Sequence, residues 1–135
     1  MTALGHRLIL VAALTVPVAW QPAVLANDDL VMLLQGRQCP RCRLADVDLM
    51  HADLRDADLS NAQLQRANLS RASLDGADLS GADLSFTSLQ GASLRGSNLK
   101  GAKLYGTDLR NSDLSGAQLD NNALEKERGI TILAK

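Results

Sequence analysis

The sequence predicts a solenoid, a chain that turns one corner every five residues around a narrow core, and three observations carry that expectation. Leucine stands at every fifth position from Leu44 to Leu119, sixteen times in succession, and Leu124 extends the series. Two residues before each leucine sits a small side chain, as in Ala52, Ala57, Ala62, Ala67, Ala72 and Ala77, with Ser97, Ser112, Thr87 and Thr107 as variants. Two residues after it, glycine recurs at Gly76, Gly81, Gly91, Gly96, Gly101, Gly106 and Gly116, with asparagine at Asn61, Asn111 and Asn121. A period of five matches neither the helical 3.6 nor the strand period of two. On a helix the leucines would drift around the axis into water, and on a single strand successive leucines would face opposite sides. A chain that bends once per pentapeptide keeps every leucine inside, and Gly and Asn tolerate the positive φ that a tight turn requires.

Composition agrees with a core of this kind. The 135 residues are 46% hydrophobic but only 2% aromatic, with one Trp, one Tyr and one Phe, and leucine fills 26 positions. Fourteen Lys and Arg against 15 Asp and Glu leave a net charge of -1, which argues against attachment to nucleic acid or anionic lipid by net charge. Thirteen of the fifteen acids are Asp, a turn former rather than a helix former.

The repeating unit, Ala-(Asp/Asn/Ser)-Leu-x-(Gly/x), written in HADLR, DADLS, RANLS, GADLS and GSNLK, resembles that of the pentapeptide repeat family from about Cys39 to Leu124. The resemblance implies an all-β solenoid: a right-handed quadrilateral parallel β-helix of about four coils, with the leucine and the small residue pointing inward. Residues twenty apart then stack at the strand spacing of about 4.8 Å. The leucine columns become 44/64/84/104, 49/69/89/109, 54/74/94/114 and 59/79/99/119. Each buried leucine contributes about 1.5–3 kcal/mol, and the small column leaves room for opposing leucines to meet.

In chain order, residues 1–26 read as a signal peptide. Arg7 supplies the one positive charge of a short n-region, Leu8 to Trp20 is an apolar run broken by Pro17, and Val24-Leu25-Ala26 fits a small-residue cleavage signal. An uncleaved anchor is the competing reading. Residues 27–38 predict an N-terminal capping helix, with Asn or Asp at the N-cap, Leu30, Leu33 and Leu34 at helical spacing, and Gly36 as a stop. Residues 39–124 form the repeats. Residues 125–135 predict a C-terminal cap, since a solenoid leaves strand edges that natural proteins cover.

Cys39 and Cys42, the only cysteines, lie between the first cap and the repeats. In an exported chain they predict a disulfide at the start of the first coil. Cys39 falls in the leucine register, and Cys42 takes the small position before Leu44. A redox-active pair and a metal site compete with this reading. The first needs a helix N-terminus to acidify a thiol, and the second needs two more ligands where only His51 remains beyond the signal. A similar pair before the first repeats also resembles exported cyanobacterial and chloroplast-lumen members of the family.

Function has to reside on the outward positions. Asp48, Asp53, Asp58, Asp78, Asp83, Asp108 and Asp113 precede the leucines, but on a convex wall they lack the shielded cleft that paired-carboxylate catalysis requires. Stacking predicts an Arg55–Asp75–Arg95 ladder and an Asp46–Arg66 pair. One corner departs from the pattern: Phe86 replaces the usual Gly or polar residue, Tyr105 stands one coil above Ser85 beside it, and Arg66 and Lys103 flank them. Exposed aromatics with cationic neighbours have the composition of an interaction hot spot. The plain alternative is rings that cover backbone.

No nucleophile–base set and no metal cluster stands out, so the expectation is an exported, non-enzymatic scaffold without cofactor, destined for a periplasm or thylakoid lumen. It would act on an unidentified protein partner or another copy of itself, not on nucleic acid, and without stable membrane insertion after cleavage. Redox chemistry at Cys39 and Cys42 is one alternative. A DNA-mimic role like that of the family's quinolone-resistance members is another, opposed by export, the short repeat array and the low net charge.

Overall fold

The computed structural model describes residues 22–120. The expected signal segment up to residue 21, the repeat residues 121–124 and the expected C-terminal cap over 125–135 lie outside the described residues.

One helix precedes the repeats. Helix α1 spans Pro22–Gly36, rather than the expected 27–38, and carries no acidic residue in its first turn. Pro22 suits a first helical position because it has no N–H to leave unpaired. Asn27 and Asp28 therefore lie within the helix, not at its cap, and α1 runs through the expected cleavage point. Arg37, with φ of 53°, breaks the helix, and Gln38 starts pairing with Asp58. Leu33 is fully buried in the same core as the leucine ladders, with Leu30 packed beside it. Asp29 reaches the first coil, its carboxylate accepting the Arg43 N–H at 2.8 Å.

From Gln38 onward the chain pairs with itself in parallel at an offset of twenty residues. Thirteen such bridges occur among the described residues, in the columns 38/58/78/98/118, 43/63/83/103, 48/68/88/108 and 53/73/93/113. Pairing is centred on the residue before each leucine. Asp83, for example, donates its N–H to the Ala62 carbonyl and accepts at its own carbonyl from the Leu64 N–H, both at 2.9 Å.

Between bridges the chain turns. The N–H three residues after the leucine donates back to the leucine carbonyl, as Ala72 does to Leu69 at 3.1 Å. The residue two after the leucine takes positive φ at every corner from Arg41 to Gly116, while the residue before it does not. One positive φ, at the third residue, defines a type II turn. The corner N–H then donates to the next coil, as Phe86 does to the Tyr105 carbonyl at 2.8 Å.

The interior is built as the register predicts. Leucines from Leu44 to Leu109 are no more than 3% exposed, whereas Leu114 and Leu119 are only partly buried. The hydroxyls admitted to the small column are satisfied: Thr87 donates to the Leu64 carbonyl at 2.6 Å and Thr107 to the Leu84 carbonyl at 2.8 Å. A Thr here takes the small inward position while adding a bond to a turn carbonyl, and among the described residues no buried side-chain N or O atom lacks a partner.

Candidate functional site

The corner column 46/66/86/106 brings the sequence's aromatic exception together with its neighbour. Phe86 and Tyr105 meet edge to face, with ring centroids 5.2 Å apart and planes at 88°. They remain 58% and 52% exposed, so the contact joins the rings without burying them. Gly106 makes room for the pair, since a Cβ there would stand 2.7 Å from a Phe86 ring carbon. The ring therefore covers the Gly106 backbone on one side and faces solvent on the other. Phe86 holds this position at φ of 59°, a region where a bulky residue is an outlier.

The flanking cations are engaged elsewhere. Arg66 donates to both carboxylate oxygens of Asp46, at 2.6 and 2.7 Å, and Lys103 lies 3.4 Å from Asp83. Of the four patch residues, the structure thus unites the two aromatics and draws the two cations into ion pairs. The Asp46–Arg66 pair forms as expected, and its hydrogen bond holds the Asp46 carboxyl below the usual carboxylate range. The Arg55–Asp75–Arg95 ladder does not form as salt bridges. Arg55 turns to Asp53 at 2.7 Å and Arg95 to Asp113 at 2.5 Å, carboxylates of the column 53/73/93/113 that flanks the same leucines. Asp75 instead accepts from the Ser93 hydroxyl and the Arg95 N–H.

The acids before the leucines have a shared structural task. The side chains of Asp48, Asp58, Asp78, Asp83, Asp108 and Asp113 each accept the N–H two residues onward, at 2.9–3.1 Å. Hydrogen bonds from Ser115 and then Arg95 pull the Asp113 carboxyl down to about 2. Those from Ser80 lower Asp78. Burial works against ionisation at Asp83, and hydrogen bonds from Ser85, Gln65 and Lys103 outweigh it, leaving the pKa lowered. Acids held ionised in this way accept protons poorly near neutrality, the opposite of what a general acid requires.

Cys39 and Cys42 lie at disulfide distance, with Cα atoms 5.4 Å apart, and are 0% and 4% exposed. Cys39 continues a leucine column, its N–H donating to the Asp58 carbonyl at 2.8 Å, and its Sγ touches the Asp29 carbonyl oxygen of α1. Among the described residues, no group of three or more His, Cys, Asp or Glu side chains could hold a metal ion.

A profile of pentapeptide repeats matches eight copies over residues 42–81 and 77–116. The chain belongs to the pentapeptide repeat family. Proteins of this family fold as right-handed quadrilateral β-helices and serve as structural or interaction modules. Two solved members come from the cyanobacterium Nostoc PCC 7120. HetL, a pentapeptide repeat protein involved in heterocyst differentiation regulation, is 39% identical over 62% of this chain, with a TM-score of 0.38, and this chain spans only 41% of it. The pentapeptide repeat protein alr5209 is 33% identical over 82% of this chain and 93% of its own, with a TM-score of 0.41. A pentapeptide repeat protein of the Arabidopsis thaliana thylakoid lumen is 23% identical over 73% of this chain and 57% of its own, with a TM-score of 0.30. No curated protein matches the chain.

This chain also carries a feature that the residue pattern did not single out. A groove of about 330 Å³ is lined by Met50, Ser70, Arg71, Gln90, Gly91 and Asn111. Its signal in the sequence is the stacked column 51/71/91/111, where a glycine stands between two corners that carry side chains.

Proposed function

We propose that this pentapeptide repeat protein is an exported, non-enzymatic scaffold whose corner at Phe86 and Tyr105 is the contact surface for a protein partner. One observation carries the reading: Phe86 occupies a left-handed corner at φ of 59° while its ring stays 58% exposed. Neighbouring repeats use Gly76, Gly81 and Gly91 at such corners. Arg41, His51, Arg66 and Arg71 hold the same corner conformation, so what sets Phe86 apart is an aromatic ring left exposed at a corner, edge to face with a second exposed ring. Arg66 and Lys103, neutralised by Asp46 and Asp83, frame the rings as a polar rim around an aromatic centre.

In this reading the solenoid of about four coils is the rigid support, and α1 covers its first edge through Leu33 and Asp29. The Cys39–Cys42 disulfide pins the start of the first coil. Burial of both sulfurs favours that structural role over redox exchange, which needs an accessible sulfur. The walls lack the uniform acidity of a DNA mimic, because Asp46, Asp53, Asp83, Asp108 and Asp113 are paired with Arg or Lys. Export rests on the apolar leader and its small-residue cleavage signal.

The test is a cross-linking pull-down from the exported compartment with wild type and with Phe86→Ser plus Tyr105→Ser. Wild type should recover a defined protein that the double variant loses while keeping its thermal midpoint. Equal recovery by both proteins removes the aromatic corner from the interface.

A further inference from the structure

We infer that the groove at the neighbouring corner accepts a carboxylate of an acidic peptide segment, with the Arg71 guanidinium as its direct partner. This deepens the scaffold reading, on which it rests, by naming the chemistry of what the wall binds.

The groove exists because Gly91 carries no side chain. With φ of +68° and only the Arg71 Cγ within 4 Å of where a Cβ would stand, at 3.4 Å, Gly91 leaves a trough above the Arg71 stem. Lining residues stack in two columns, 50/70/90 and 71/91/111, so the trough follows the long axis from Met50 to Asn111 across four coils. Three steps of about 4.8 Å give a length of about 14 Å, which suits four residues of extended chain.

Its polar groups are uncommitted, in contrast to most of the wall. Arg37, Arg55, Arg66, Arg95, Arg110 and Lys103 each have a carboxylate within 2.5–3.4 Å. Among the described residues Arg71, like Arg41, Arg43 and Lys100, has none within salt-bridge distance, but of these only Arg71 lines the groove, where no acid stands. The groove's amides are uncommitted too: Asn68 donates to Asp48 at 3.0 Å and Asn98 to Asp78 at 3.2 Å, whereas the Gln90 and Asn111 side chains, like those of Gln63 and Gln118, make no hydrogen bond with a described residue. A guanidinium fork matches a carboxylate bidentately, and two uncommitted amides beside it match a peptide backbone. Met50, 47% exposed, offers the apolar rim on which aliphatic carbons can lie. His51 stands one coil below Arg71 in the same corner column, and Arg110, above Gln90, is committed to Asp108 at 2.6 Å. A phosphate fits less well, because one guanidinium with no lysine beside it is a weak counterpart for a dianion.

The experiment is an NMR titration of 15N-labelled protein purified from the exported fraction, reading the Arg71 side-chain Nε–H and the Gln90 and Asn111 amides. The probes are acetyl-tetraglutamate amide, acetyl-tetraglutamine amide, acetyl-tetraglutamine with a free terminal carboxylate, and inorganic phosphate. The tetraglutamate should produce saturable shifts at Arg71, and the capped tetraglutamine none. Shifts from the free-terminus peptide would make the chain end a second source of the carboxylate. Losing a charge-assisted bond should weaken binding about tenfold in Arg71→Gln. Gly91→Asn should weaken it similarly by filling the trough, and its fold should survive because Asn61 and Asn111 hold equivalent corners at φ of 55° and 58°. Arg41→Gln, another corner arginine, should leave affinity unchanged. Absence of saturable shifts at Arg71, an equal loss in Arg41→Gln, or tighter binding of phosphate than of tetraglutamate would overturn the inference. Phe86 and Tyr105 take no part in this titration, so its failure and a failure of the aromatic interface are separately visible.

Discussion

An aspartate before a leucine does two jobs in this chain: its backbone forms the parallel bridge, and its carboxylate accepts the N–H two residues on, as Asp58 does from Ser60 at 3.0 Å. Asn68 and Asn98 perform the same task with an amide oxygen, which explains why Asp, Asn and short polar residues dominate that position and Glu does not. A longer side chain would overshoot the turn. At the corners the rule is space as well as φ. Side chains of Asp56, Asn61 and Phe86 lie against Gly76, Gly81 and Gly106 one coil later, each within 3.0 Å of where a Cβ would stand. Gly106→Ala must therefore displace an aromatic ring and hold an alanine at φ of +66°. It should cost about 1–3 kcal/mol by thermal or urea unfolding, and a second change, Phe86→Ser, should recover part of that loss. A Gly106→Ala protein as stable as wild type would show that the ring does not press on this backbone.

The leucine ladder is the unit of stability, and its members are unequal in a way that follows from stacking. Leu79, with coils below and above it, is fully buried, whereas Leu114 is only partly buried. Leu79→Ala should cost about 2–5 kcal/mol and Leu114→Ala distinctly less, read as the difference in unfolding free energy. Equal losses would mean that the last coil is covered as well as the middle ones. At the opposite end α1 supplies the cover. Leu33 enters the core, and the Asp29 carboxylate takes the Arg43 N–H that no earlier coil is present to accept. Val47 marks the limit of the small column: it is only half-buried, and its N–H lacks the turn bond that Ala52 and Ala57 make.

Across the whole molecule, the wall is a set of short-range charge contacts, and its acids set the response to pH. Hydrogen bonds and arginines lower the pKa of Asp46, Asp53, Asp78, Asp108 and Asp113 in the folded chain. A carboxyl lowered by folding stabilises the fold above its unfolded value of about 4 and ceases to do so as the pH falls through its folded value. For Asp113 that lower bound is about 2. The thermal midpoint should therefore hold near neutrality and fall between about pH 4 and pH 2. Constant stability through that window would separate these contacts from folding. Because each coil touches only its neighbours, loss of wall contacts should loosen the array locally before the ladders fail.

Much of this was legible in the residues. A side chain repeated every five positions can be buried throughout only if the backbone bends at the same interval, so the leucine register alone determined the corners, the inward columns and the departure at Phe86. The start of α1 at Pro22, the pairing of Arg55 with Asp53 rather than Asp75, and the trough beside Arg71 were decided by tertiary structure. Burial obeys a periodic rule that the sequence displays, whereas a long charged side chain on an open wall chooses among several carboxylates of similar reach. That choice depends on side-chain directions and on spaces left by glycine, and these exist only once the coils are stacked.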